Sequence, residues 1–116
     1  MSPIIWHNPK CRKSREALAL LQGKGLTPTV RLYLEDPPSP SELRTVLSRL
    51  SMAPRALMRR QEAEYKALNL ADAGLDDAAL IEAMAANPRL IERPVVLLGD
   101  RAVLTRPAEN LEALLG

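Results

Sequence analysis

The stretch IIWHNPKCRKSREALALLQGKG, residues 4–25, decides how the chain begins to fold. Ile4, Ile5 and Trp6 form a short apolar run behind Pro3, and His7-Asn8-Pro9 ends it. Pro9 also pushes Asn8 away from helical geometry, so the segment reads as a strand followed by a turn. From Ser14 onward, Ala17, Leu18, Leu20 and Leu21 recur at helical spacing, and Gly23 and Gly25 bracket the end. The expectation is a helix of about ten residues. Thr29, Val30, Leu32, Tyr33 and Leu34 then read as a second strand, closed by Glu35-Asp36-Pro37-Pro38. A β-α-β unit therefore fills the first third of the chain.

Beyond it the pattern changes. Ser39 is placed as an N-cap, with Pro40 at the first helical position and Glu42 at the third, ahead of Leu43, Val46, Leu47 and Leu50. Shorter helical pieces are predicted around Arg55 to Arg60 and Glu62 to Leu68. Another helix is expected from Asp76 to Ala86, with Leu80, Ile81 and Met84 on one side. Residues 39 to about 90 thus read as an all-helical insertion. Val95 to Leu98, the Gly99-Asp100 pair and Ala102 to Leu104 have the pattern of a tight hairpin. Pro107 to Leu115 reads as a closing helix. The order is β-α-β, helical insertion, β-β-α: an α/β fold with the mixed sheet of the thioredoxin or glutaredoxin type, in one domain spanning residues 1–116.

Composition narrows the function. A length of 116 residues suits one domain, and 47% hydrophobic with 26% charged residues is ordinary for a folded, soluble protein. Lys and Arg total 16 against 14 Asp and Glu, too balanced for a nucleic-acid binder that works through a basic surface. Aromatics are 3% with no Phe, so stacking platforms for single strands are missing too. No apolar run approaches a membrane span, and the first apolar run is too short, with nothing basic before it, for a secretory signal. A single cysteine cannot form an internal disulfide. These features together lead us to expect a cytoplasmic protein without membrane or nucleic-acid partners.

That cysteine, Cys11, is the candidate reactive group. A lone cysteine is more often a buried structural residue. Here it lies between strand and helix, near the first backbone N–H groups of the helix, which favour a thiolate. Arg12, Lys13 and Arg15 add positive charge, and a polar, proline-bounded loop is a poor place for a core thiol. The nucleophile reading leads. A thioredoxin would carry a second cysteine in a C-x-x-C motif, but the fourth position here is Ser14. A dithiol cycle within the chain is therefore excluded, and an external thiol must resolve whatever is oxidised at Cys11. With one Cys and one His, no tetrahedral protein metal site is expected. His7, four residues before Cys11, reads either as a turn residue or as support for the thiolate, directly or through Asn8 and Ser14. Ser14 also reads as a cap for the first helix.

The segments HNPKCRKSR, LYLEDPPS, RALMRRQEAEY, IERPVV and TRPAE, in this order along almost the whole chain, resemble the ArsC family of arsenate reductases that use glutathione and glutaredoxin. The resemblance implies a thioredoxin-like sheet with a helical insertion. It implies that Cys11 attacks arsenate and that Arg59, Arg93 and Arg106 hold the oxyanion, whose oxygens planar guanidinium groups match in pairs. It also implies a cis proline beside the reactive cysteine, at Pro94. No bound cofactor is expected: glutathione serves as co-substrate, glutaredoxin as partner, and arsenic detoxification as the role. Typical glutaredoxin-linked members carry small residues straight after the cysteine, whereas this chain has Arg12-Lys13, and its C-x-K-S-R loop resembles a separate branch of the family. Two alternatives remain at this level. One is a regulator similar to the Spx proteins, which share the fold and bind RNA polymerase but generally use the C-x-x-C that Ser14 breaks. The other is a same-fold oxidoreductase for another thiol-linked substrate.

Overall fold

In the computed structural model, which describes residues 2–105 together with Leu111 and Leu114, four short strands form one mixed sheet. Strand β1 (Ile4–Trp6) pairs in parallel with β2 (Thr29–Arg31) and antiparallel with β3 (Val95–Leu98). β3 in turn pairs antiparallel with β4 (Arg101–Leu104), giving the order β2-β1-β3-β4. The two inner strands are the most apolar, and Ile5, Trp6, Val95 and Val96 in them are buried. Ile5 stands opposite both Val30 and Val96, so Ile5 and Val96 share a face. On it they pack with Ala17, Leu21, Leu111 and Leu114 in one buried cluster. Trp6, one residue on, points to the other face, as does its partner Val95, and the Arg31 guanidinium lies 5.7 Å above the indole.

Helix α1 (Arg12–Gly23) supplies Ala17 and Leu21 to that cluster. It starts two residues earlier than the apolar periodicity suggested. Cys11, in extended backbone, is its N-cap, so Ser14 lies inside the helix and is not its cap. Gly25 ends the helix at φ +80°, where the Leu26 amide turns back to the Leu21 carbonyl at 3.2 Å. β2 is shorter than expected. It stops at Arg31 because the Leu32 carbonyl accepts the amides of both Glu35 and Asp36 at 2.9 Å, folding Tyr33 to Glu35 into a turn. The hairpin between β3 and β4 turns on Gly99, at φ +61°. The predicted closing helix lies mostly outside the described residues; Leu111 and Leu114 are helical and buried.

The chain divides into two compact units, Met1–Asp36 with Arg93–Gly116, and Pro37–Glu92. The first carries the sheet and α1. In the second, α2 (Pro40–Leu50) opens on the predicted capping box: the Glu42 amide donates to Ser39 Oγ at 3.1 Å, and the Ser39 amide donates to Glu42 Oε1 at 3.0 Å. Ser51, in the left-handed region at φ 55°, ends it. The expected helix over Arg55 to Arg60 is only a 3₁₀ turn, Pro54–Leu57. It breaks because Met58 pairs with Ile91 in an isolated bridge, with the Arg59 amide donating to the Leu90 carbonyl and the Glu92 amide to that of Leu57, each at 2.7 Å. Then follow α3 (Ala63–Ala67) and α4 (Asp77–Ala86), the latter capped by Asp76. α4 packs on α2 and on the 3₁₀ turns at Pro54–Leu57 and Pro88–Leu90. This is the thioredoxin-like α/β architecture with a mixed sheet that the sequence led us to expect. No described helix is long and apolar enough to cross a membrane.

Candidate functional site

The loop from β1 to α1 is held by backbone hydrogen bonds and by the side chains of Asn8 and Arg15. The His7 amide donates to the Arg31 carbonyl at 2.8 Å, extending the β1–β2 ladder by one step. The chain then turns: the Cys11 amide reaches the Asn8 carbonyl at 2.9 Å, and the Lys10 amide reaches Asn8 Oδ1 at 3.0 Å. Arg15 clamps the far side by donating to the Pro9 carbonyl at 2.9 Å.

Ser14 fastens this loop to the helix from inside. It is fully buried, its Oγ accepts the Asn8 amide at 3.0 Å, and it lies 2.6 Å from His7 Nδ1. His7 is itself buried. Burial, and secondarily the charge of Arg15, push the imidazole below its ordinary pKa of 6.5, so the neutral ring is favoured. In a neutral ring protonated on Nε2, Nδ1 accepts the Ser14 hydroxyl hydrogen. The three residues expected around the thiolate are thus brought together, with Ser14 as the hub.

Cys11 has 8% of its surface exposed. Burial pushes the thiol pKa up, but the Ser14 amide, the Arg93 guanidinium and the Lys13 amide outweigh it, and the net direction is down. Arg93 acts in two ways, as a donor from Nε to Cys11 Sγ at 3.2 Å and as a charge. The sheet explains how residues 82 apart in sequence meet. Val95 at the start of β3 faces Trp6 at the end of β1, so the residues just before β3 sit beside the loop just after β1. The Arg93–Pro94 peptide is cis, as the resemblance implied.

Two features were not anticipated. The basic residues after Cys11 do not turn their charge on the sulfur: Arg12 and Lys13 both reach Glu16, at 3.0 and 3.9 Å, and Arg15 binds the Pro9 carbonyl. Among the described residues, the side-chain cation that acts on the sulfur is Arg93. Thr105, buried at the end of β4, donates to the Pro94 carbonyl from both its amide (3.1 Å) and its hydroxyl (3.3 Å), fixing the backbone that carries Arg93. Its sequence signals were its place directly after the fourth strand and at the head of the TRPAE segment, neither of which pointed to this role.

Of the other arginines implied as oxyanion ligands, Arg106 lies outside the described residues. Arg59 belongs to the second unit, where Nη1 meets Glu62 Oε1 at 2.6 Å and Nε meets Glu92 Oε1 at 3.5 Å. Among the described residues, no group of three or more His, Cys, Asp and Glu side chains is placed to hold a metal.

A cleft of about 230 Å³ opens next to the Cys11 loop, lined by His7, Asn8, Pro9 and Lys10 on one side and by Leu32, Leu34 and Glu35 on the other. A buried thiol whose pKa is lowered at a helix start, with a guanidinium donor on the sulfur, is equipped for nucleophilic attack on an electrophilic centre within an anionic group.

Comparison with known proteins gives one consistent result. The ArsC family matches residues 6–114. An uncharacterized protein of Escherichia coli (strain K12), YfgD, is 49% identical over 113 residues, covering 97% of this chain and 95% of that protein. An arsenate reductase of Neisseria meningitidis serogroup A is 46% identical over 112 residues, 96% of each chain. Among solved structures, an arsenate reductase from Vibrio cholerae superposes with a TM-score of 0.93 at 50% identity, covering 97% of each chain.

Proposed function

Because the chain belongs to the ArsC family, we propose that it is an arsenate reductase in which Cys11 is the nucleophile and glutathione and glutaredoxin supply the electrons. The observation that carries this reading is the contact between Arg93 Nε and Cys11 Sγ at 3.2 Å. One guanidinium there both favours the thiolate and stands beside the place an oxyanion bonded to the sulfur would occupy. Arg59 and Arg106 are proposed as further oxyanion ligands on the resemblance to the family alone. His7, Asn8 and Ser14 are proposed to act on the thiolate indirectly, by fixing the loop that presents it.

The reaction balances without a cofactor. Cys11 and arsenate condense through a new S–As bond, and one arsenate oxygen leaves as water. Glutathione displaces a second oxygen as water, leaving As(V) between two sulfurs. A further thiol, that of glutaredoxin, attacks the glutathione sulfur. The S–As electron pair passes to arsenic, which becomes As(III), while the two attacking and attacked sulfurs form a mixed disulfide. Water then releases arsenite and returns the Cys11 thiol.

The test is coupled arsenate reduction by the wild type beside Cys11→Ser. Turnover that needs both glutathione and glutaredoxin, and that the substitution abolishes, is expected. Turnover retained by the serine variant, or sustained by thioredoxin as the sole thiol source, would overturn the reading.

A further inference from the structure

We propose that the cleft lined by His7 to Lys10 and by Leu32, Leu34 and Glu35 is the binding site for the small thiol reductant, a zwitterionic peptide thiol of the glutathione class. The inference rests on the reductase reading, because it says where that reaction's electrons enter. Three observations support it. First, Ser14 stands where a resolving cysteine would be, so the thiol must come from outside, and this cleft adjoins the loop that carries Cys11: Lys10 is its immediate neighbour in the chain.

Second, the cleft has the wrong chemistry for the oxyanion and the right chemistry for a peptide thiol. Leu32 and Leu34 give it an apolar side, and Leu34 is 37% exposed, an apolar side chain left open to solvent. A multiply charged oxyanion desolvated against leucines without paired donors is costly, whereas the methylenes of a γ-glutamyl chain gain by burial there. Third, one cation and one anion stand on the cleft wall: Lys10 suits a carboxylate and Glu35 suits an ammonium group. At about 230 Å³ the cleft is smaller than a drug-sized pocket, which runs from about 300 Å³ upward, and it fits part of a tripeptide better than a folded partner's surface.

The probe is S-methylglutathione, which lacks a thiol and so reports binding without chemistry. Titrated into the ¹⁵N-labelled full chain, it should shift amides at residues 7–10 (Pro9 excepted) and 32–35 in a saturable way. Lys10→Glu and Glu35→Lys should each weaken binding roughly two- to fivefold, the scale of a solvent-exposed ion pair. Leu34→Asp should weaken it further. Shifts confined to Arg93 and Val95, affinity indifferent to all three variants, or no shift at millimolar probe would overturn the proposal. Glutaredoxin perturbing these residues while S-methylglutathione does not would overturn it as well, by making the cleft a protein-docking site. Arsenate turnover by the wild type, measured in parallel, separates the two failures. Turnover with shifts elsewhere sinks the cleft and leaves the function standing. Shifts here without arsenate turnover sink the function and leave a peptide-thiol site.

Discussion

Replacing Arg93 with alanine isolates the contribution of one side chain to the reactivity of Cys11. The Arg93 Nε donor lies 3.2 Å from the sulfur, and a hydrogen bond to a charged group contributes about 1.5–3 kcal/mol. Arg93 is only half-buried, so solvent already shares its charge and the lower end of that range applies. About 1.4 kcal/mol is a tenfold change in an equilibrium, so the thiolate fraction at a fixed pH below the thiol's pKa should fall about tenfold. The amides of Ser14 and Lys13 remain in the variant, so part of the depression survives, but burial, which pushes the thiol up, is opposed by less. The assay is the rate of alkylation by iodoacetamide across pH. The variant should react about tenfold more slowly on the acid side and converge with the wild type at alkaline pH, where both thiols are ionised. Arg93→Lys should recover part of the rate, since it keeps the charge but not the planar fork. Overlapping profiles for wild type and alanine variant would refute the assignment. A loss that persists at alkaline pH would refute it too, because the residue would then govern access to the sulfur and not its ionisation.

Ser14→Ala should destabilise the fold by about 1–3 kcal/mol in urea denaturation, because it leaves the Asn8 amide and the His7 ring without their buried partner. The pH dependence has a definite sign. With His7 lowered in the folded state, the unfolded chain takes up the proton first, so stability should fall as pH drops through about 6.5, and His7→Asn should remove that slope in thermal melts. The lowered thiol of Cys11 stabilises the fold fully above the ordinary thiol pKa and loses that contribution as pH falls through its own. A second slope, at higher pH and removed by Cys11→Ser, should therefore remain in the His7→Asn protein.

What the sequence showed of this site was what local signals encode. The apolar run, the Asn8-Pro9 turn and the Leu-rich periodicity placed Cys11 between strand and helix, and the Ser39–Glu42 spacing marked the start of α2. Where long-range contacts decide, local signals misled. Ser14 is a good capping residue by type and Cys11 is not, yet His7 and Asn8 draw the Ser14 hydroxyl inside and the helix begins at Cys11. Leu32, Tyr33 and Leu34 have strand-forming character, but the Leu32 carbonyl collects two amides and bends the chain. The partnership of Arg93 with Cys11 depends on β3 lying antiparallel beside β1, and no spacing between residues 82 apart states that by itself.

The placing of Ser14 also bears on how electrons can reach Cys11. Its amide favours the thiolate while its hydroxyl holds the Asn8 amide and the His7 ring, so a sulfur at this position could resolve an oxidised Cys11 only by giving up the contacts that shape the loop. The position is committed to geometry, which is consistent with the proposed supply of electrons by a thiol from outside. Cys11 is 8% exposed, which makes the resting sulfur a poor target for a bulky partner. On the proposed mechanism that thiol never attacks the resting sulfur. It attacks arsenic, one bond further out, so the small reductant needs only a foothold beside the loop, and the protein reductant acts later on the glutathione sulfur, further out again. On that proposed mechanism, the burial of the first nucleophile favours addition of the small thiol before the protein thiol.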